Sequence, residues 1–125
     1  MSETSNTASV ELYYLAHARS GDKGDTLSIC VIPYEPQDYG LLAAQLQPEH
    51  VKEWMGDSVR GTVMRFDLPN LSAFNFVMHQ ALDGGVSDSL YLDAHGKTRS
   101  GVLLSMPIRV PDTHPAVALK KIMTT

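Results

Sequence analysis

The chain has a single cysteine, Cys30. One thiol can form neither an intrachain disulfide nor a cysteine-based zinc site. Cys30 sits in the apolar run Leu27-Ser28-Ile29-Cys30-Val31-Ile32, where a buried, inert thiol is expected rather than a nucleophile. No apolar stretch approaches the roughly eighteen residues of a membrane span, and the N-terminus has no signal-peptide pattern. The expected location is therefore the cytoplasm. Basic residues cluster no further than Lys120-Lys121, and the net charge is −4. Neither nucleic acid nor a membrane surface is expected as a partner. The histidines at 17, 50, 79, 95 and 114 show no i, i+4 or His-x-His spacing, so no metal is expected. Ser20-Gly21-Asp22-Lys23-Gly24 has the wrong spacing for a phosphate loop or a dinucleotide fingerprint, and no cofactor is expected.

What the chain does have is a dense charged segment, Arg19-Ser20-Gly21-Asp22-Lys23-Gly24-Asp25, between the apolar runs Leu12–Ala16 and Leu27–Ile32. Such a segment is either a solvated turn or a site. Its glycines leave room for backbone N–H groups to converge on a ligand. Arg19 and Lys23 add donors suited to a carboxylate or phosphate. A hairpin turn needs two to five residues, and this segment is longer, which favours a loop with a role of its own.

At 125 residues, with 43% hydrophobic and 19% charged side chains, the chain is long enough for one domain with its own core. Residues 1–9 read as a polar, disordered tail, 10–110 as the domain, and 111–125 as an extension. Strands are predicted over Val10–Ala16, Thr26–Ile32 and Thr62–Leu68, and helices over Gln37–Leu46 and Glu49–Met55. In the latter, Pro48 suits the first turn, Gly56 the cap, and Val51, Trp54 and Met55 face the core together. A further helix is predicted over Leu71–Leu82, with Asn70 as its N-cap and Phe74, Val77, Met78, Ala81 and Leu82 as its apolar stripe. Gly84-Gly85 would stop it. Ser89–Asp93 and Ser100–Ile108 are predicted to form a hairpin in which Gly96 supplies positive φ and Pro107 lies at an edge. The last helical run is Pro115–Met123. The expected class is α+β: one two-layer sandwich of a mostly antiparallel sheet with helices on one face.

The chemistry-bearing residues are few. His17 is the acid/base candidate beside the charged segment, with a solvated strand-end histidine as the alternative. Asp22 and Asp25 either act with Arg19 and Lys23 or only balance their charge. Ser20 has no base and orienting partner nearby in sequence, so a hydrolase triad is weakly supported. Asn70 is either a cap or an anion contact at a helix N-terminus. Asn75, placed with His79 off the apolar stripe, is free to meet the charged segment or a ligand.

Ala18-Arg19-Ser20-Gly21-Asp22-Lys23-Gly24-Asp25, Val59-Arg60-Gly61, Leu68-Pro69-Asn70-Leu71-Ser72-Ala73-Phe74-Asn75-Phe76-Val77 and the glycines before Leu90-Tyr91-Leu92-Asp93 resemble the small C-terminal domain of acyclic terpene utilisation (AtuA) proteins, over roughly residues 10 to 110. The resemblance implies a ferredoxin-like fold without an iron–sulfur cluster. A single cysteine agrees with this, because such clusters need four ligands. It also implies a separate large AtuA-like chain as partner, with a possible homo-oligomer. The process implied is catabolism of acyclic terpenes or branched acyl-CoA compounds. On this basis the expected function is a partner subunit whose Arg19, Ser20, Gly21, Gly24, Asp25, Asn70 and Asn75 bind an acyl-CoA or carboxylate. The rival reading is a self-sufficient lyase or hydratase using Asp22 or His17 as acid/base, with Lys23 stabilising an enolate-like oxygen.

Overall fold

The computed structural model describes residues 6–24, 26–56, 59–80 and 99–124. Its centre is a four-stranded antiparallel sheet of β2 (Ala16–Lys23), β3 (Thr26–Pro33), β4 (Val63–Leu68) and β5 (Ala73–Met78), in the order β2-β3-β5-β4. Helices α1 (Tyr39–Gln45) and α2 (Pro48–Met55) connect β3 to β4, and α3 (Arg99–Leu104) follows β5 in chain order. Because β5 is antiparallel to both β3 and β4, those two run parallel with β5 between them. This is the split βαβ arrangement of a ferredoxin-like sandwich, entered one strand early so that it reads ββαββα. A second, two-stranded antiparallel sheet joins β1 (Thr7–Glu11) to β6 (Pro107–Pro111), and α4 (Pro115–Met123) closes the chain.

Burial alternates strictly along β3, with Leu27, Ile29, Val31 and Pro33 inward. Phe74, Phe76 and Met78 do the same on β5. This period of two is that of a sheet covered on one face only. The inward residues form one buried cluster with Leu42, Leu46, Val51, Met55 and Leu103 from the helical layer, and with Val10, Leu12, Ile108 and Val110 from the β1–β6 side. Gln45 ties α1 to the two-stranded sheet: its amide donates to the Arg109 carbonyl at 2.7 Å and accepts the Arg109 N–H at 2.8 Å, as a neighbouring strand would.

Polar side chains anchor the layers at two places. Arg65 points inward from β4 and donates to the carbonyls of Ala43 and Leu46 at the end of α1, at 2.8 and 3.1 Å; the Ala43 carbonyl also accepts from the Gln47 side-chain amide at 3.2 Å. The same guanidinium pairs with both oxygens of Asp67 at 2.7 and 3.3 Å and lies 5.3 Å from the Phe74 ring centroid. That ring also stacks on Tyr39, with centroids 4.5 Å apart and planes 7° from parallel. On the other side of the molecule Lys120 of α4 pairs with Glu11 at 3.2 Å. The Glu11 carboxyl is held below its ordinary value by its own backbone amide first, and by Lys120 as well.

Several expectations hold. Helix α2 starts at Pro48 and is followed by Gly56 at φ +63. Strand β4 and helices α1 and α4 lie within a residue or two of their predicted spans, and Pro107 opens a strand of the two-stranded sheet. Others are corrected. The predicted strand 10–16 is split by a 3-10 turn at Leu12–Tyr14, and Thr7–Ser9, assigned to the tail, are strand. Of the predicted core face of α2, Trp54 is 41% exposed and spends its indole N–H on the Val102 carbonyl. Cys30 is half-buried on the outward face of β3 rather than sealed in the core. The helix predicted at Leu71–Leu82 is, as far as Gln80, a 3-10 turn at Pro69–Leu71, strand β5 and a further turn. Its helical stripe was a coincidence of spacing: Phe74 and Met78 also satisfy period two, and Val77 lies on the opposite face from them. Asn70 therefore caps no helix; it is exposed in that turn. The predicted strand at Ser100–Ile108 is helix α3 followed by β6, and β6 pairs with β1. Ala81, Leu82, Gly84-Gly85, Ser89–Asp93 and Gly96 lie outside the described residues.

Replacing Arg65 by Met keeps the length of the side chain and removes every polar contact. The expected loss is about 2–4 kcal/mol in urea unfolding, since the charge-assisted bonds to two carbonyls and to Asp67 disappear together. Arg65→Lys should recover only part of it, because a point charge cannot serve two carbonyls and a carboxylate at once. Asn70→Ala should shift stability by less than about 0.5 kcal/mol; a loss of about 1 kcal/mol or more would restore the capping role.

Candidate functional site

The charged segment is the end of a hairpin. Strand β2 continues through Lys23 and β3 begins at Thr26, with Lys23 opposite Thr26. Only Gly24 and Asp25 remain for the turn, the commonest hairpin length. Gly24 has φ +64, the left-handed conformation such a turn demands. The expectation of a long free loop is thus corrected, because the ladder to β3 absorbs residues 19–23. Asp25 lies outside the described residues. Asp22 and Lys23 occupy the register positions opposite Leu27 and Thr26.

The alternation of β2 then sorts the candidates by face. Ser20 pairs with the inward Ile29 and so belongs to the helix-covered face, although it is exposed on an edge strand. His17, Arg19 and Gly21 pair with Ile32, Cys30 and Ser28 and lie on the opposite, outward face. Cys30 also pairs with Asn75, and Asn75 with Phe66. Arg19, Cys30, Asn75 and Phe66 therefore form one row straight across the sheet. Arg19 and Asn75 are two strand spacings apart, about 10 Å between Cα atoms. The adjacent row is Gly21, Ser28, Val77 and Met64.

Within this face the Ser28 hydroxyl donates to Asn75 Oδ1 at 3.0 Å. That bond orients the amide and leaves its NH2 group as a donor beside the Cys30 position. Arg19 is exposed and has no ion pair among the described residues. Phe66 and Met64, 46% and 43% exposed, supply an apolar flank. One guanidinium, one oriented amide and two apolar side chains can together receive an anion joined to an apolar body.

The acid/base candidates do not converge. His17 is exposed at the start of β2, where its ring stacks on Tyr34 with centroids 5.6 Å apart. Asp22 belongs to the far end of the same strand. Asn70 lies with the β4–β5 turn, at the opposite end of the sheet from Gly24. His79, placed on a helix with Asn75 by the sequence, instead follows β5, with Nδ1 3.5 Å from the Thr26 hydroxyl. Ser28, Met64 and Phe66 were not singled out from sequence; reading β5 with period two would have drawn them in, because their faces follow from its register. Three cavities of about 440, 490 and 500 Å³ are lined by other residues, around Arg109 and around Asp38.

No helix among the described residues is long and apolar enough to cross a membrane. No curated protein and no solved structure matches the chain. Residues 10–109 match the family model of the AtuA ferredoxin-like domain. With most of its length inside that match and the sheet topology to go with it, the chain belongs to the AtuA ferredoxin-like domain family.

Proposed function

We propose that the chain is a small partner subunit of a separate, large AtuA-like chain, and that it lends the outward face of its sheet to a composite site. The ligand of that site is a carboxylate or acyl-CoA thioester from acyclic terpene or branched-chain catabolism, the substrate class that family membership suggests. The observation that carries this reading is the Arg19–Cys30–Asn75–Phe66 row. It is a donor-bearing, partly apolar face on the side of the sheet opposite the helices. A flat face of this kind binds weakly by itself, because it surrounds little of a ligand; a second surface laid on it would bury the anion and strengthen each contact. In the rival, a lyase complete in one small chain, His17 and Asp22 lie at opposite ends of β2, so only one of them can serve as acid/base beside Lys23.

Co-expression with a large AtuA-like chain from the same host tests the first half: a stable complex is expected, and Phe66→Glu should abolish it while leaving the melting temperature of the isolated chain near wild type. Binding of a branched acyl-CoA to the reconstituted complex tests the second half. Arg19→Ala should weaken it about ten- to a hundredfold, the loss of one charge-assisted contact. Stability should change by less than about 0.5 kcal/mol, since Arg19 is on the surface. Arg19→Lys should rescue binding only in part if the guanidinium engages two oxygens. Wild-type affinity in Arg19→Ala would remove this face from the site.

A further inference from the structure

A cavity of about 500 Å³ lies between the 34–38 turn and the first turns of α4, with Tyr14, Tyr34, Glu35, Asp38, His114 and Leu119 among its lining. This volume falls in the range of small-molecule sites. Asp38 is the buried charged residue among those described, only 6% exposed. Its Oδ1 lies 2.9 Å from His114 Nε2. The other ring nitrogen, Nδ1, accepts the Ala116 N–H at 3.0 Å. The imidazole proton must therefore sit on Nε2, and the ring is neutral in this arrangement. His114 thus orients the carboxylate and caps α4 without cancelling the charge. The second oxygen of Asp38 has no hydrogen-bond partner among the described residues. With one neutral donor, and a second oxygen that is not sealed from solvent, the carboxylate keeps its charge available to a ligand in the cavity. No lysine or arginine is among the cavity's lining residues. The Tyr14 phenol, pushed up to about 12 by its hydrogen bond with Tyr13 and by burial, stays uncharged. Glu35 adds a second negative charge, and Tyr34 offers a ring face that is 57% exposed.

We infer that this cavity is a binding site for a small organic cation, a primary ammonium on a short apolar chain. Asp38 receives the head, and Tyr34 and Leu119 cover the chain. Carboxylate and aromatic ring together favour a cation over a neutral alcohol of the same shape. The site is separate from the outward face of the sheet and does not depend on the function proposed for that face. Tyr34, which lines the cavity, stacks on His17 of that face.

The test is a titration of the full chain with n-butylammonium chloride at constant chloride, followed by amide NMR. Saturable shifts are expected at Tyr34–Asp38 and around His114 and Ala116, with a shift of the His17 ring signals as Tyr34 responds. n-Butanol should bind roughly tenfold or more weakly. Asp38→Asn keeps an acceptor for His114 Nε2–H and should retain the melting temperature while losing the preference for the cation. Equal binding of the two probes to the wild-type chain, shifts scattered over the surface, or an undiminished preference in a folded Asp38→Asn variant would each overturn the assignment. If that variant does not fold, the two-probe comparison on wild type decides alone.

Discussion

The Arg65 guanidinium is the contact on which the two layers of this protein depend. It leaves β4 on the inward face, where a charge has no natural place, and ends among the carbonyls of Ala43 and Leu46, the Asp67 carboxylate and the Phe74 ring. Burying a guanidinium is costly unless nearly every donor is used. Here the end of α1 supplies two carbonyl acceptors, that of Ala43 shared with the Gln47 amide. The Tyr39–Phe74 stack continues the same column from sheet to helix. This arrangement sets how α1 lies on the sheet, and through Gln45 it also sets where β6 runs.

With the helices held on one face, the other face of the sheet is defined by exclusion. Its residues come from four strands, and the hairpin register decides which of them meet. A slip of one residue in β2 would turn Arg19 inward and bring Ser20 to the outward face. The pairing of Lys23 with Thr26, with Gly24 at positive φ beside it, prevents that slip by fixing the register. The glycines of the charged segment thus serve the ladder and its turn, and the candidate site lies along the strand beside them.

The second polar centre, Asp38 with His114, follows the same logic on the far side of α1. A histidine just before α4 spends one nitrogen on the first turn of that helix and the other on a carboxylate at the start of α1. Two helix starts distant in sequence are tied by one neutral ring. The cavity beside them is lined by both Asp38 and His114.

The sequence by itself determined the fold class, the family, strands β3 and β4, and helices α1, α2 and α4. Those helices carry local signals, such as Pro48 and Gly56 around α2 and Pro115 at the start of α4, and local signals act through backbone geometry that needs no partner. It also pointed to Arg19 and Asn75, though for different reasons than those the structure supplies. Only the tertiary structure decided that 73–78 is a strand: over six residues Phe74 and Met78 suit either period, and the open ladders of β3 and β4 settled the choice. It likewise decided the face of each β2 residue, the pairing of β1 with β6, the carbonyl contacts of Arg65 and the burial of Asp38. The β1–β6 pairing, the carbonyl contacts of Arg65 and the His114 contact of Asp38 depend on partners 19 or more positions away in the chain, and contacts of that range leave no mark in local residue spacing.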